Sequence, residues 1–85
     1  MPRYFFSVFN GYECLDTVGT VLPDLASARE NAVRVSGEIL RDGADIWEGV
    51  PWRMEVADES GPLFSLNFSC SETPARKGPA AVQGT

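Results

Sequence analysis

One amphipathic helix constrains the fold of this chain more than any other feature. Over residues 25–41, apolar side chains recur at helical spacing on one side, and charged side chains lie on the other. The apolar stripe comprises Leu25, Ala28, Ala32, Val35 and Ile39, with Val33 and Leu40 at its edge. Asp24 is suited to cap the N-terminus, and Gly43 is suited to end the helix. A single helix of this kind needs a sheet to cover its apolar stripe.

Strand patterns lie on both sides of the helix. Residues 3–9 are rich in aromatic and β-branched side chains, and Asn10-Gly11 follows as a turn before a short strand at about residues 14–17. After the helix, residues 52–58 and 63–68 alternate between apolar and polar around a turn at residues 58–61. The sequence therefore predicts an α+β fold, a two-layer ββαββ sandwich with one helix on a three- or four-stranded antiparallel sheet.

The length of the first turn decides which side chains face the helix. A two-residue turn would pair Val8 with Glu13 and place a carboxylate on the face that the helix covers. A four-residue loop, residues 10–13, pairs Val8 with Leu15 instead. We therefore expect the longer loop.

Length and composition indicate one small domain. We expect residues 1–69 to form it, and residues 70–85, rich in Ser, Pro, Ala and Gly, to be a disordered tail. The sequence shows no secretion signal and no apolar run of about 20 residues, which a membrane span would need. A cytoplasmic protein with Cys14 and Cys70 reduced is the expectation.

The charge distribution bears on possible partners. Residues 1–70 contain five arginines and eleven acidic residues. An acidic surface repels phosphate backbones, so we expect no direct binding of nucleic acid. The same charge leaves open an acidic regulator, such as an antitoxin-like inhibitor or a nucleic-acid mimic.

Residues suited to catalysis or metal binding do not form a recognisable motif. The chain has no histidine, and no Gly-rich loop joins a strand to a helix. Asp42, Asp45 and Glu48 do not have the spacing of a calcium-binding loop. We therefore expect a non-enzymatic protein with no catalytic residues, no metal site and no cofactor.

The helix-free face of the sheet is the predicted interaction surface. If the even-numbered residues of the first strand face the helix, Phe5 and Phe9 face away from it. Leu63 joins them if the last strand lies beside the first. Exposed aromatic side chains on one face suggest a protein partner or a homodimer. The alternative is that the tail, the loop containing Trp47, or Tyr12 covers them.

Arg29 and a pocket near the two tryptophans are two further candidates for a binding role. Arg29 lies at the border of the apolar stripe and could contact an anion, or its stem could pack on the sheet with its head in water. A pocket between helix and sheet near Trp47 and Trp52 would instead suit a small-ligand sensor.

Several short motifs together resemble a known family. They are Pro2-Arg3-Tyr4-Phe5-Phe6, Asn10-Gly11, Asp16, Gly19, Leu22-Pro23-Asp24-Leu25, Ala28-Arg29 and the turn at residues 55–61. Over residues 2–68 the chain resembles a family of short bacterial proteins classed as a domain of unknown function. Phe9 departs from that family, whose members tend to be polar at this position. The resemblance supports the fold boundaries and implies no activity, cofactor or catalytic residue.

Overall fold

A computed structural model describes residues 1–43, 45–71 and 73. Its elements in chain order are β1 (Arg3–Phe9), β2 (Glu13–Cys14), β3 (Thr20–Val21), α1 (Leu25–Arg41), a short 3₁₀ helix (Asp45–Glu48), β4 (Trp52–Asp58) and β5 (Gly61–Phe68). One helix packs on one antiparallel sheet, so the predicted α+β class is confirmed. Most of the tail predicted to be disordered, residues 72 and 74–85, lies outside the described residues.

Among the described residues the sheet has five strands, whereas three or four were expected. Their order is β2-β1-β4-β5, and β3 also pairs with β1, at Arg3 and Tyr4. The two-residue β3 was not predicted, because so short a strand has no alternation to recognise. Strand β4 lies between β1 and β5. Leu63 was expected to join Phe5 and Phe9 only if the last strand lay beside the first, and it does not.

The first hairpin has a register that differs from both alternatives. Val8 pairs with Cys14 and Phe9 pairs with Glu13, which leaves a three-residue loop, Asn10–Tyr12. The expected four-residue loop is wrong. Gly11 has a φ of +96°, which lets the chain reverse in three residues. The second strand accordingly ends at Cys14 rather than continuing to residue 17.

The core lies between α1 and the central strand. Trp52, Met54 and Val56 of β4 are fully buried, and they face a line of small helix residues. Those residues are Ala28, Ala32 and Ser36, all buried. Positions four apart lie one above another on a helix, so three small side chains in a line let the helix approach the sheet closely. Ser36 was absent from the predicted stripe, and Leu25, which was included, is 37% exposed.

Candidate functional site

Phe9, on the helix-free face of the sheet, is half-buried rather than open to solvent. The guanidinium carbon of Arg53, on the neighbouring strand β4, lies 4.5 Å from the centre of the Phe9 ring. Arg53 Nη2 also lies 3.1 Å from Glu55 Oε2, an ion pair between partly exposed side chains. A cation over an aromatic face is weakly attractive and hides part of the ring from water. The expectation of an open aromatic patch is therefore wrong at this residue.

Phe5 is also half-buried, and a turn lies against it. Gly19 comes so close that a Cβ at this position would lie 2.9 Å from Phe5 Cε1 and 2.7 Å from Arg3 Cγ. Gly19 has a φ of +80°, which favours glycine in any case. Two of the covers proposed from the sequence do not serve this purpose, since Tyr12 is 80% exposed and Trp47 is 69% exposed. Most of the third, the tail, lies outside the described residues.

Leu63 lies apart from the two phenylalanines. It is 40% exposed on β5, at the irregularity where Val56 pairs with Phe64 but Ala57 pairs with Pro62. Strand β4 separates it from β1, and two strand spacings amount to about 10 Å. The three predicted partner-binding residues therefore do not form one continuous patch. Whether any of them binds a partner stays a prediction.

The outer edge of β1 is closed by a side chain as well as by strands. β2 pairs with one end of β1 and β3 with the other, and Asp16 lies between them. Asp16 Oδ2 accepts a hydrogen bond from the Phe6 N–H at 3.0 Å, and Asp16 N–H donates to Ser7 Oγ at 3.1 Å. Asp16 Oδ1 accepts from the N–H groups of Val18 at 3.0 Å and Gly19 at 2.9 Å. This edge has little room for another strand.

The environment of Asp16 favours its ionised form. Partial burial, the largest single influence, raises the pKa of this carboxyl, but the backbone N–H groups of Phe6, Gly19 and Val18 together outweigh it. The pKa of Asp16 is therefore lowered from its usual value. Asp16 and Gly19 both belong to the motifs that indicated a family resemblance. Their structural partnership across a turn could not be read from those motifs.

The other edge of the sheet, along β5, is open among the described residues. Strand β5 is eight residues long and lies at the end of the strand order, paired only with β4. It contains no charged side chain, although charged residues at an edge commonly prevent strands from pairing between molecules. Pro62 and the irregularity beside it hinder pairing at the start of β5. The segment 64–68 has neither form of protection.

The register shows which backbone groups of β5 face outward. The Phe6 N–H bonds a side chain on the outer side of β1, so the backbone groups of Phe6 point away from β4. Phe6 pairs with Val56, and Val56 pairs with Phe64. Because alternate residues in an antiparallel ladder bond opposite neighbours, Phe64 bonds β4. The N–H and C=O groups of Ser65 and Asn67 therefore point to the open edge.

A groove lies at the end of the sheet. It has a volume of about 430 Å³, and its walls include Phe9, Trp52, Arg53 and Asn67. The Nε1 atom of Trp52 is buried without a hydrogen-bond partner among the described residues. Trp47 is not part of the wall, so the structure does not bring the two tryptophans together around one cavity between helix and sheet.

Arg29, the candidate anion contact, is exposed on α1 and forms no ion pair among the described residues. No group of three or more His, Cys, Asp or Glu side chains is placed to hold a metal ion within the described ranges. In the same part of the chain, no helix combines the length and apolar character needed to cross a bilayer.

These features define a small α+β domain with one closed and one open sheet edge. The model of one family, the domain of unknown function DUF6894, matches residues 3–69, and the chain belongs to that family. Membership in a family of unknown function was the expectation from the motifs, and it is confirmed. No curated protein and no solved structure matches the chain.

Proposed function

We propose that this protein is a non-enzymatic interaction module that adds a partner's strand to the outer edge of β5. The observation that supports the proposal most directly is the pair of outward-facing backbone positions, Ser65 and Asn67, on an uncharged edge strand. An unpaired strand edge is a template for another strand, and its main-chain groups supply the hydrogen bonds.

The difference between the two edges favours β5 over the rest of the sheet. Along β1, the Asp16 carboxylate and two short strands already use the outward-facing groups. On the helix-free face, Arg53 and the Gly19 turn each hide part of an aromatic ring. The edge of β5 needs no rearrangement before it can bind a strand, so the cost of ordering on binding is low.

A proline at Ser65 tests the proposal. Ser65→Pro removes an N–H that points to the open edge and leaves the bonds between β4 and β5 in place. The matched control is Ser65→Thr, which keeps the N–H and favours strand structure. Tagged wild type and both variants are used to capture partners from the native lysate, and the mass of each purified protein is measured alongside.

The outcomes distinguish binding at the edge of β5 from binding at the helix-free face of the sheet. We expect the wild type and Ser65→Thr to retain a protein partner or to self-associate, and Ser65→Pro to do neither. A Phe5→Ser/Phe9→Ser variant tests the helix-free face, and under the proposal it retains binding if it remains folded. Binding that survives Ser65→Pro but is lost with the double Ser variant would overturn the proposal in favour of the face.

A further inference from the structure

We infer that the strand bound by β5 is β5 of a second copy of this chain, antiparallel and centred on Leu66. The inference rests on the proposed function and names its partner. It requires a two-fold axis through the midpoint of the segment 64–68, so that the same surface is used by both copies.

The sequence of this segment is nearly the same in both directions. From Phe64 to Phe68 it is Phe-Ser-Leu-Asn-Phe. Antiparallel pairing about Leu66 therefore places Phe64 opposite Phe68 of the second copy and Ser65 opposite Asn67 of the second copy. Every pair joins side chains of like character, aromatic with aromatic and polar with polar, which is what a self-complementary edge requires.

The same register also provides hydrogen-bond partners for the outward-facing backbone groups of β5. Ser65 and Asn67 direct their N–H and C=O groups outward, as the pairing with β4 requires. In the proposed register these two residues form hydrogen-bonded pairs across the axis. The two Leu66 residues form a pair without hydrogen bonds, in which the side chains lie closest. A shift of one residue would place outward groups opposite inward ones and lose these bonds.

Burial on the helix side supports the same arrangement. Phe64, Leu66 and Phe68 pack against the core but are only partly buried, since they lie at the edge of the sheet. A second copy would continue the apolar row and cover more of these side chains. The two copies each have a formal charge of −5, so they repel one another at low ionic strength. We therefore expect salt to strengthen the association.

Mass measurements over a concentration series provide the first test. We use light scattering on the full chain from about 1 µM to about 1 mM. The expected result is a rise from 9.3 kDa toward twice that mass, at lower concentration in high salt. We expect Ser65→Pro and Asn67→Pro to raise the dissociation constant at least about tenfold, and Ser65→Thr to leave it nearly unchanged. Circular dichroism checks that each variant is folded.

A cysteine at the axis tests the register. In a Cys14→Ser/Cys70→Ser background, Leu66→Cys places two thiols opposite each other, within reach of a disulfide. The matched control is Ser65→Cys, whose two copies would be offset by two residues along the strands and too far apart to bridge. Under oxidised glutathione we expect a disulfide-linked dimer from Leu66→Cys and little from Ser65→Cys.

The results distinguish the inference from the proposed function. A protein that stays at 9.3 kDa throughout the series would overturn the inference. Equal cross-linking by the two cysteine variants would also overturn it. If a monomeric protein still captures a partner that Ser65→Pro loses, the open edge of β5 retains its function and only the second copy is rejected. If neither self-association nor capture depends on Ser65, both proposals fail.

Discussion

The carboxylate of Asp16 accepts a hydrogen bond from the backbone N–H of Phe6 at 3.0 Å, so a side chain takes the position of a neighbouring strand in the middle of β1. Strands β2 and β3 pair with the two ends of β1. Without the carboxylate, the Phe6 N–H would face the solvent at a break in the sheet edge. The arrangement makes Asp16 a structural residue and leaves β5 as the open sheet edge in the part of the chain that the structure describes.

We expect the contribution of Asp16 to stability to depend on pH in a defined direction. The pKa of Asp16 is lowered in the folded protein, because its backbone hydrogen bonds together outweigh partial burial. Its contribution is therefore fully present above the unfolded-state pKa of about 3.9 and is lost as the pH falls through the lower folded-state pKa. Asp16→Asn should remove that dependence and lower the unfolding free energy near neutral pH by about 1–2 kcal/mol.

Urea unfolding followed by tryptophan fluorescence at several pH values measures this effect. The control is Glu30→Gln, which removes one negative charge from the exposed side of α1 and leaves the Asp16 turn intact. Wild type and control should lose stability in parallel below about pH 4, whereas Asp16→Asn should lose less. Equal pH dependence in all three proteins would show that the Asp16 hydrogen bonds do not stabilise the folded state.

Gly19→Ala should destabilise the protein through both strain and crowding. The φ of Gly19 is +80°, and a Cβ would lie within 3 Å of the Arg3 and Phe5 side chains. We expect a loss of about 1–3 kcal/mol, measured by thermal or urea unfolding. Gly49→Ala is the matched control, because its φ of +86° imposes a similar strain and nothing lies within 4 Å of a Cβ added there. A loss at Gly49 as large as that at Gly19 would mean that crowding against Phe5 is unimportant.

Gly37→Ala should stabilise the protein. Gly37 lies inside α1 without a positive φ, and a Cβ there would meet nothing within 4 Å. Alanine has the higher helix propensity and restricts the unfolded chain, so we expect a gain of about 0.5–1 kcal/mol in the free energy of unfolding. Gly37→Val should give a smaller gain, because a β-branched side chain loses rotamer freedom in a helix. An unchanged or lower melting temperature for Gly37→Ala would contradict the prediction.

Ser36→Ala should have little effect on stability. Ser36 is 1% exposed, and its Oγ lies 3.7 Å from Met54 Sδ, which is a weak acceptor. Ser36→Ala loses this weak hydrogen bond but also removes the cost of burying a hydroxyl group. We therefore expect the free energy of unfolding to change by no more than about 0.5 kcal/mol. Ser36→Leu should instead cost about 1–3 kcal/mol, because a larger side chain would force α1 away from β4. Comparing the two melting temperatures separates the need for small size from the need for a hydroxyl.

Features that depend on nearby residues were predictable from the sequence. The helix occupies Leu25–Arg41 as expected, and Asp24 caps it by accepting a hydrogen bond from Ser27 N–H at 2.9 Å. Strands β1 and β4 also have the predicted bounds. Ser36 was missed because hydrophobicity alone does not reveal which small residues lie closest to a sheet.

Features that depend on distant residues were not predictable. The face of Phe5 and Phe9 was assigned correctly, but their partial burial comes from Gly19 and from Arg53 on another strand. The open edge could not be located either. Alternation fixes the face on which a side chain lies, but it does not fix the neighbour of a strand.

The central position of β4 has a consequence for synthesis of the chain. Strand β1 leaves the ribosome before the helix, yet it forms its longest pairing with residues 53–57, which follow the helix. The side of β1 that pairs with β4 therefore has no partner until most of the domain has been made. Such non-local pairing slows folding and exposes apolar surface in the meantime. We expect nascent chains that end within the helix to depend on chaperones, and that dependence to end once β4 has emerged.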